Sequence, residues 1–304
     1  MTASSTTAPI PPGIVVPLVT PFTADGEHIA LDALEELAHA TLADGAVGLV
    51  ALGTTAEAAF LDAEEKDAVL TVCARVCLER SAALIVGAGG NDTRGGVRAL
   101  AALRGRAPIA AFLVPVPAFV RPSEEGVIAH FERLAADSPA PLIVYNVPYR
   151  SGRSLGVETL LRLAAIPGVA GVKHSVGGID EDTVELLAAG PADFAVWAGD
   201  DVFVSPLLAL GAHGAITASA HLATDRFVAL ANAWRAGDVV GARALGHTLA
   251  GLSAAVFAEP NPTVLKGVLH AGGRVPSPAV RLPLLPASAA SVATAVARLA
   301  FVEG

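Results

Sequence analysis

The sequence predicts an α/β fold: a (β/α)8 barrel followed by a C-terminal group of about three further helices. Three observations lead there. Short apolar runs alternate with helical stretches at a period of roughly 25–30 residues, and eight such units follow one another. The runs are apolar throughout rather than alternating with polar residues, the pattern of parallel strands covered on both faces. Eight units within 304 residues favour a closed barrel over a doubly wound sheet.

The first strand covers residues 14–18 and leads through Thr20-Pro21-Phe22 and the turn signal Asp25-Gly26 to a helix over about 32–44. Leu31, Leu34, Leu37, Ala38 and Leu42 give that helix one apolar face. The second strand, 47–52, ends in Gly53-Thr54-Thr55. The next helix opens near Asp62, with Glu65 three residues on in capping-box spacing, and runs to about Arg80. Strands at 83–86 and 109–114 are followed by helices over 93–104 and 123–137. The fifth strand ends at Tyr145 and the sixth at Lys173, with helices over 157–165 and 180–189. The seventh strand, 194–197, runs into Gly199-Asp200-Asp201 and a helix over 202–210. The eighth, 214–217, precedes a helix over 224–236. Residues 1–12, rich in Ser, Thr, Ala and Pro, read as a loose tail, 13–237 as the barrel, and 238–304 as a helical extension packed on it.

Composition removes several functions. A formal charge of -9 with singly scattered arginines argues against a nucleic-acid groove. Residues 202–224 carry no charge, but Pro206, Gly211, His213, Gly214, Ser219 and His221 break them into helix, strand and loop rather than a membrane span. The N-terminus lacks the basic and apolar regions of a signal peptide. Cys73 and Cys77 lie four apart in a helix with no Cys/His pair beside them, and read as small buried hydrophobes. The eight histidines show no ligand spacing, so no metal site is expected. Together these features point to a cytoplasmic enzyme of small molecules.

In such barrels the chemistry sits where strands end and βα loops begin. The polar residues there are Thr54, Thr55, Tyr145, Arg150, Lys173 and the Asp200/Asp201 pair. Lys173 is one of three lysines and Tyr145 one of two tyrosines, the other being Tyr149. Burial lowers a lysine's pKa, and the neutral amine is a nucleophile toward carbonyls. The bland alternative is a lysine snorkelling from the barrel mouth or paired with an acid. Gly53-Thr54-Thr55 could cradle a carboxylate with hydroxyls and backbone N–H groups, or be an ordinary βα turn. Arg150 could clamp a carboxylate or form a surface salt bridge. The glycines between 87 and 96 fit neither dinucleotide nor P-loop fingerprints and read as a permissive turn. Asp200-Asp201 reads as a helix cap rather than a cation site.

Taken together, these residues resemble the dihydrodipicolinate synthase/N-acetylneuraminate lyase family of Schiff-base-forming barrels. The matches are Gly53-Thr54-Thr55-x-Glu57, Tyr145-Asn146-Val147-Pro148-x-Arg150-x-Gly152, Gly171-Val172-Lys173 and Gly199-Asp200-Asp201, in order, within a resemblance that runs from Val16-Pro17-Leu18-Val19-Thr20-Pro21-Phe22 to Asn261-Pro262, nearly the whole chain. The resemblance implies a TIM barrel, a cofactor-free mechanism and a homotetramer or homodimer. It implies that Lys173 forms an imine with pyruvate or another 2-oxo acid and that Tyr145 transfers protons. Gly53, Thr54 and Thr55 would hold the 2-oxo acid carboxylate, Thr54 would hydrogen-bond Tyr145, and Ile216 would line the pocket. Arg150 matches the position that holds an acidic aldehyde in the synthase branch, so 4-hydroxy-tetrahydrodipicolinate synthesis is the expected activity. Another 2-oxo acid aldolase or hydro-lyase, and a non-catalytic 2-oxo-acid-binding relative, are the alternatives. The chain departs from the pattern at Phe119, where synthases place a relay tyrosine contributed across a dimer interface. It departs again at Ala56 and Ala58, in place of Gly and Ser, and at His174, in place of an acid. Phenylalanine fills the volume without the hydroxyl, so the second-substrate side is expected to be altered.

Overall fold

The computed structural model describes residues 10–303. Residues 1–9 of the expected tail lie outside them. The strands are β1 (Ile14–Pro17), β2 (Gly48–Ala51), β3 (Ala83–Gly87), β4 (Ala111–Pro115), β5 (Leu142–Asn146), β6 (Val169–His174), β7 (Ala195–Ala198) and β8 (Gly214–Ile216). Each pairs in parallel with its sequence neighbour, and β8 returns to β1, so the sheet closes into an eight-stranded barrel. The helices are α1 (Leu31–Ala43), α2 (Ala63–Glu79), α3 (Thr93–Ala102), α4 (Glu124–Asp137), α5 (Pro148–Ser151), α6 (Val157–Ala164), α7 (Glu181–Ala189), α8 (Val204–Ala209) and α9 (Thr224–Ala236). Three more, α10 (Val239–Val256), α11 (Thr263–Ala271) and α12 (Ala289–Glu303), form the extension.

The apolar residues sort into two cores because successive side chains on a strand face opposite sides. Val15, Val50, Ile85, Leu113, Ile143, Trp197 and Ile216 point into the barrel and fill it. The intervening residues, such as Val16, Leu49, Val86, Phe112 and Val172, face the helix layer and meet Leu34, Leu70, Phe131 and Phe227. Each fully buried side chain of this size contributes roughly 1.5–3 kcal/mol of transfer free energy. Cys73 and Cys77 belong to this outer core, and burial raises both thiols, Cys77 to about 12. They act there as small hydrophobes.

Helix starts follow local chemistry. Asp62 accepts from Glu65 N–H while the Glu65 carboxylate accepts from Asp62 N–H, the reciprocal box expected at α2. Asp92, Ser123, Asp180 and Asp238 cap α3, α4, α7 and α10 in the same one-sided way. Residues 202–224 divide as expected into helical turns, α8, β8 and a second helical turn. Among the described residues, α10 is the one helix long and apolar enough to cross a membrane by length and composition. Its buried residues Ala242, Gly246, Leu249, Leu252 and Val256 fall on one stripe, against α9 and α12. That is the pattern of a helix docked on one side. The extension returns α11 to the mouth of the barrel, where Arg281 bonds Glu65, the Phe60 carbonyl and the Gly26 carbonyl.

Candidate active site

Pairing register assembles the centre of the site. Pro115 pairs with Tyr145, Tyr145 with Lys173 and Lys173 with Trp197, one row across four strands at the C-terminal edge of the barrel. Alternation then fixes which side chains point inward. His174, the next residue, faces outward to α7, where its Nε2 meets Thr183 Oγ1 at 3.0 Å and its Nδ1 meets Asn146 Nδ2 at 3.4 Å. Lys173 therefore points in. Its amine lies 4.6 Å from the centroid of the Tyr145 ring. Both side chains are buried, at 7% and 8% exposure. Gly199 makes room for this packing, since a Cβ there would come within 2.8 Å of Lys173 Cγ.

Burial dominates the electrostatics. It pulls the Lys173 amine down to about 8, against the upward pull of Asp201, Tyr149 and Asp200. The Tyr145 phenol is pushed up by burial and held back by the Arg150 charge. Lys173 is thereby within reach of its neutral form near physiological pH, and Tyr145 stays a protonated donor.

A turn between β2 and α2 forms the second wall. Thr54–Ala56 is a single 3-10 turn flanked by Leu52 at φ 58° and Glu57 at φ 55°. Two non-glycine residues in the left-handed region bound the turn, a local strain typical of functional loops. Thr54 opens to solvent, whereas Thr55 is buried and accepts from Asn261 Nδ2 at 3.0 Å. A cavity of about 860 Å³ is lined by Gly53, Thr54, Tyr145, Arg150 and Asn261. It extends outward over Ala58, Lys66, Gly89 and Arg106.

The third wall is the one-turn helix α5. Pro148 opens it and Gly152, at φ 71°, ends it, so its direction is set by proline at the start and glycine at the end. A Cβ at Gly152 would meet Arg121 Nε at 2.7 Å, so a side chain there would displace the end of Arg121. The helix sets Arg150 on the cavity wall, its guanidinium 5.3 Å from the centroid of the Tyr149 ring. The surface salt bridge weighed as the alternative for Arg150 is not formed among the described residues.

Several expected residues are thus brought together: Gly53, Thr54, Tyr145 and Arg150 share one cavity, Lys173 stacks on Tyr145, and the Thr55 side chain is buried against Asn261. Ile216 packs with Tyr145 and Val15 in the barrel core. The Thr54–Tyr145 hydrogen bond that the resemblance implies is not formed in this structure, since the Thr54 side chain opens to the cavity. Phe119 stands apart, 92% exposed and at φ 67°, on the loop after β4. Tyr149 is 63% exposed, with its phenol raised by burial and by the neighbouring Tyr145.

The aspartate pair requires a correction. Neither residue caps the helix that follows. Asp201 is buried and accepts from Ser219 N–H at 2.6 Å, and Asp200 accepts from Gly177 N–H at 2.7 Å. Both carboxylates face the charge of Lys173 and are raised by burial. Their place immediately after a barrel strand puts them at the mouth as expected, but as carboxylates turned toward Lys173 and not as helix caps.

A model of the Dihydrodipicolinate synthetase family matches residues 11–300. The 4-hydroxy-tetrahydrodipicolinate synthase of Moorella thermoacetica is 40% identical over 275 residues, covering 90% of this chain and 92% of that one. Among solved structures, the chloride-inhibited dihydrodipicolinate synthase of Acinetobacter baumannii complexed with pyruvate superposes with a TM-score of 0.90 at 32% identity, over 96% of this chain and 99% of that one. A monomeric dihydrodipicolinate synthase variant superposes with a TM-score of 0.91 at 29% identity, over 97% of each chain.

Proposed function

The chain belongs to the dihydrodipicolinate synthetase family, and from that membership we propose that it condenses pyruvate with an acidic aldehyde through an imine on Lys173, as a 4-hydroxy-tetrahydrodipicolinate synthase. The observation that carries this reading is the buried Lys173 amine held against Tyr145, which shares a cavity with Gly53 and Thr54. The neutral amine attacks the ketone carbon of pyruvate. The carbinolamine hydroxyl leaves as water with a proton supplied from the Tyr145 phenol, and the C=N bond forms. Loss of a methyl proton gives the enamine, whose carbon attacks the aldehyde carbon as the aldehyde oxygen takes up a proton; the amino group of the aldehyde substrate then attacks the regenerated imine carbon, closing the ring and releasing the Lys173 amine. Thr54 and Thr55, with Gly53, hold the pyruvate carboxylate, Ile216 backs the methyl side, and Arg150 holds the acidic end of the aldehyde.

Phe119 bears on the second substrate. It presents no hydroxyl, so proton delivery to the aldehyde oxygen must run without a group at that position. This favours a slow synthase, or a relative selective for a different aldehyde. Wild type and Phe119→Tyr, assayed with pyruvate and aspartate semialdehyde, separate these. The expected result is a slow wild type and a variant faster by ~10-fold or more, toward the roughly 10²–10⁴-fold that a positioned proton-transfer group contributes. Fast condensation by wild type, unimproved in the variant, would remove Phe119 from the account. Pyruvate trapping without consumption of this aldehyde by either protein would assign the chain to another aldehyde.

The exposed apolar side chains Phe119, Val120 and Tyr149 near the mouth support assembly into a homodimer or homotetramer. Two buried cysteines that form no disulfide support a cytoplasmic location.

A further inference from the structure

We propose that the helical extension, through Asn261 and the Glu57–Lys266 pair, sets the direction of the Thr55 hydroxyl and so tunes pyruvate affinity. This rests on the reading of Thr54-Thr55 as the carboxylate cradle. Asn261 lies just before α11 and donates from Nδ2 to Thr55 Oγ1 at 3.0 Å. A hydroxyl has one proton to donate and two lone pairs to accept with. With Asn261 on a lone pair, and with no acceptor for the Thr55 proton among the described residues, that proton is left uncommitted next to Asn261 and Thr54, both of which line the cavity.

The turn carrying Thr55 is pinned from both sides. On the barrel side, Thr20 Oγ1 donates to the Ala56 carbonyl at 2.7 Å. On the extension side, the Glu57 carboxylate is fully buried, with Oε1 on Lys266 Nζ at 2.6 Å and Oε2 accepting from Arg281 N–H at 3.0 Å. Lys266 has no exposed surface and also lies 4.1 Å from the Phe22 ring centroid. Glu57 is the residue at φ 55° that ends the turn. A buried ion pair is thus spent on fixing one left-handed residue immediately after the cradle. Removing one partner strands the other charge in the interior and strongly destabilises the region. Lys266 and Glu57 therefore report poorly by single substitution. Asn261, which is only half-buried, is the residue to change.

Asn261 acts through Thr55, so it is a positioning residue, and a double-mutant cycle on pyruvate KM tests that relation. Wild type, Asn261→Ala, Thr55→Val and the double variant are each titrated with pyruvate. Imine formation is read by borohydride trapping, with the fraction trapped at saturating pyruvate taken from intact mass. Asn261→Ala is expected to raise the pyruvate KM ~10-fold, the scale of one hydrogen bond to a charged group, while leaving the saturating trapped fraction unchanged. In the Thr55→Val background Asn261→Ala is expected to add nothing. Multiplying effects in the double variant, or an unchanged KM in Asn261→Ala, would overturn the proposal. A merely structural role would instead lower the saturating trapped fraction and the unfolding midpoint of Asn261→Ala. An unchanged KM in Thr55→Val would overturn the cradle reading, and a wild type that traps no pyruvate would overturn the imine reading itself.

Discussion

The lowered pKa of the Lys173 amine follows from where one strand ends. On β6, Lys173 points into an apolar barrel while His174 points away to Thr183 and Asn146. Burial lowers the amine to about 8, and Asp201 is the largest influence against it. The sign of the pH dependence follows. Below about 8 the amine is protonated and imine formation slows as pH falls; above it the rate levels until the raised Tyr145 phenol ionises. Asp201→Asn removes a charge that favours the ammonium form, so the acid limb of the pyruvate-trapping rate should move to lower pH. The Asn side-chain oxygen still accepts the Ser219 amide, so the loop keeps its bond. A limb that stays put or moves to higher pH would mean that Asp201 does not act on Lys173. Lys173 and Tyr145 were legible in the sequence because both residue types are rare in it and each ends an apolar run. Asp201 was not. An acidic residue before a helical stretch has the same local signature whether it caps the helix or turns inward, and the choice is made by a Ser219 amide 18 residues on.

The elements most readable from sequence are those with a local cause. The α2 start was set by Asp62 and Glu65 alone, and the structure forms both bonds of that box. Asp62→Ala should lower stability by about 1 kcal/mol, the usual worth of an N-cap, measured by chemical denaturation, with pyruvate trapping unaffected. A loss of trapping in that variant would mean that the cap also holds the cradle, through Glu65 and Arg281. Strand ends were displaced by one or two residues because closure of the barrel, not local apolar content, decides where pairing stops. The short helix Pro148–Ser151 and the 3-10 turn Thr54–Ala56 escaped notice altogether. A single turn has no apolar periodicity to read, and its existence depends on glycine, proline and tertiary bonds at its ends.

At the scale of the molecule, the eightfold strand–helix alternation fixed the barrel in advance, and the C-terminal helices were visible as an extension. What sequence pattern did not convey was that the extension is part of the site. Asn261, Lys266 and Arg281 meet residues more than 200 positions earlier, contacts that no local pattern encodes. The barrel holds the proposed amine and its proposed proton donor, while the extension braces the turn that shares a cavity with Tyr145. Both depend on Lys173 being the nucleophile, and the most direct test is a mass measurement. Wild-type protein treated with pyruvate and borohydride should gain one reduced pyruvate adduct per chain, located on the peptide containing Lys173, and Lys173→Ala should gain none. An unmodified wild type, or an adduct that persists in Lys173→Ala, would contradict the account.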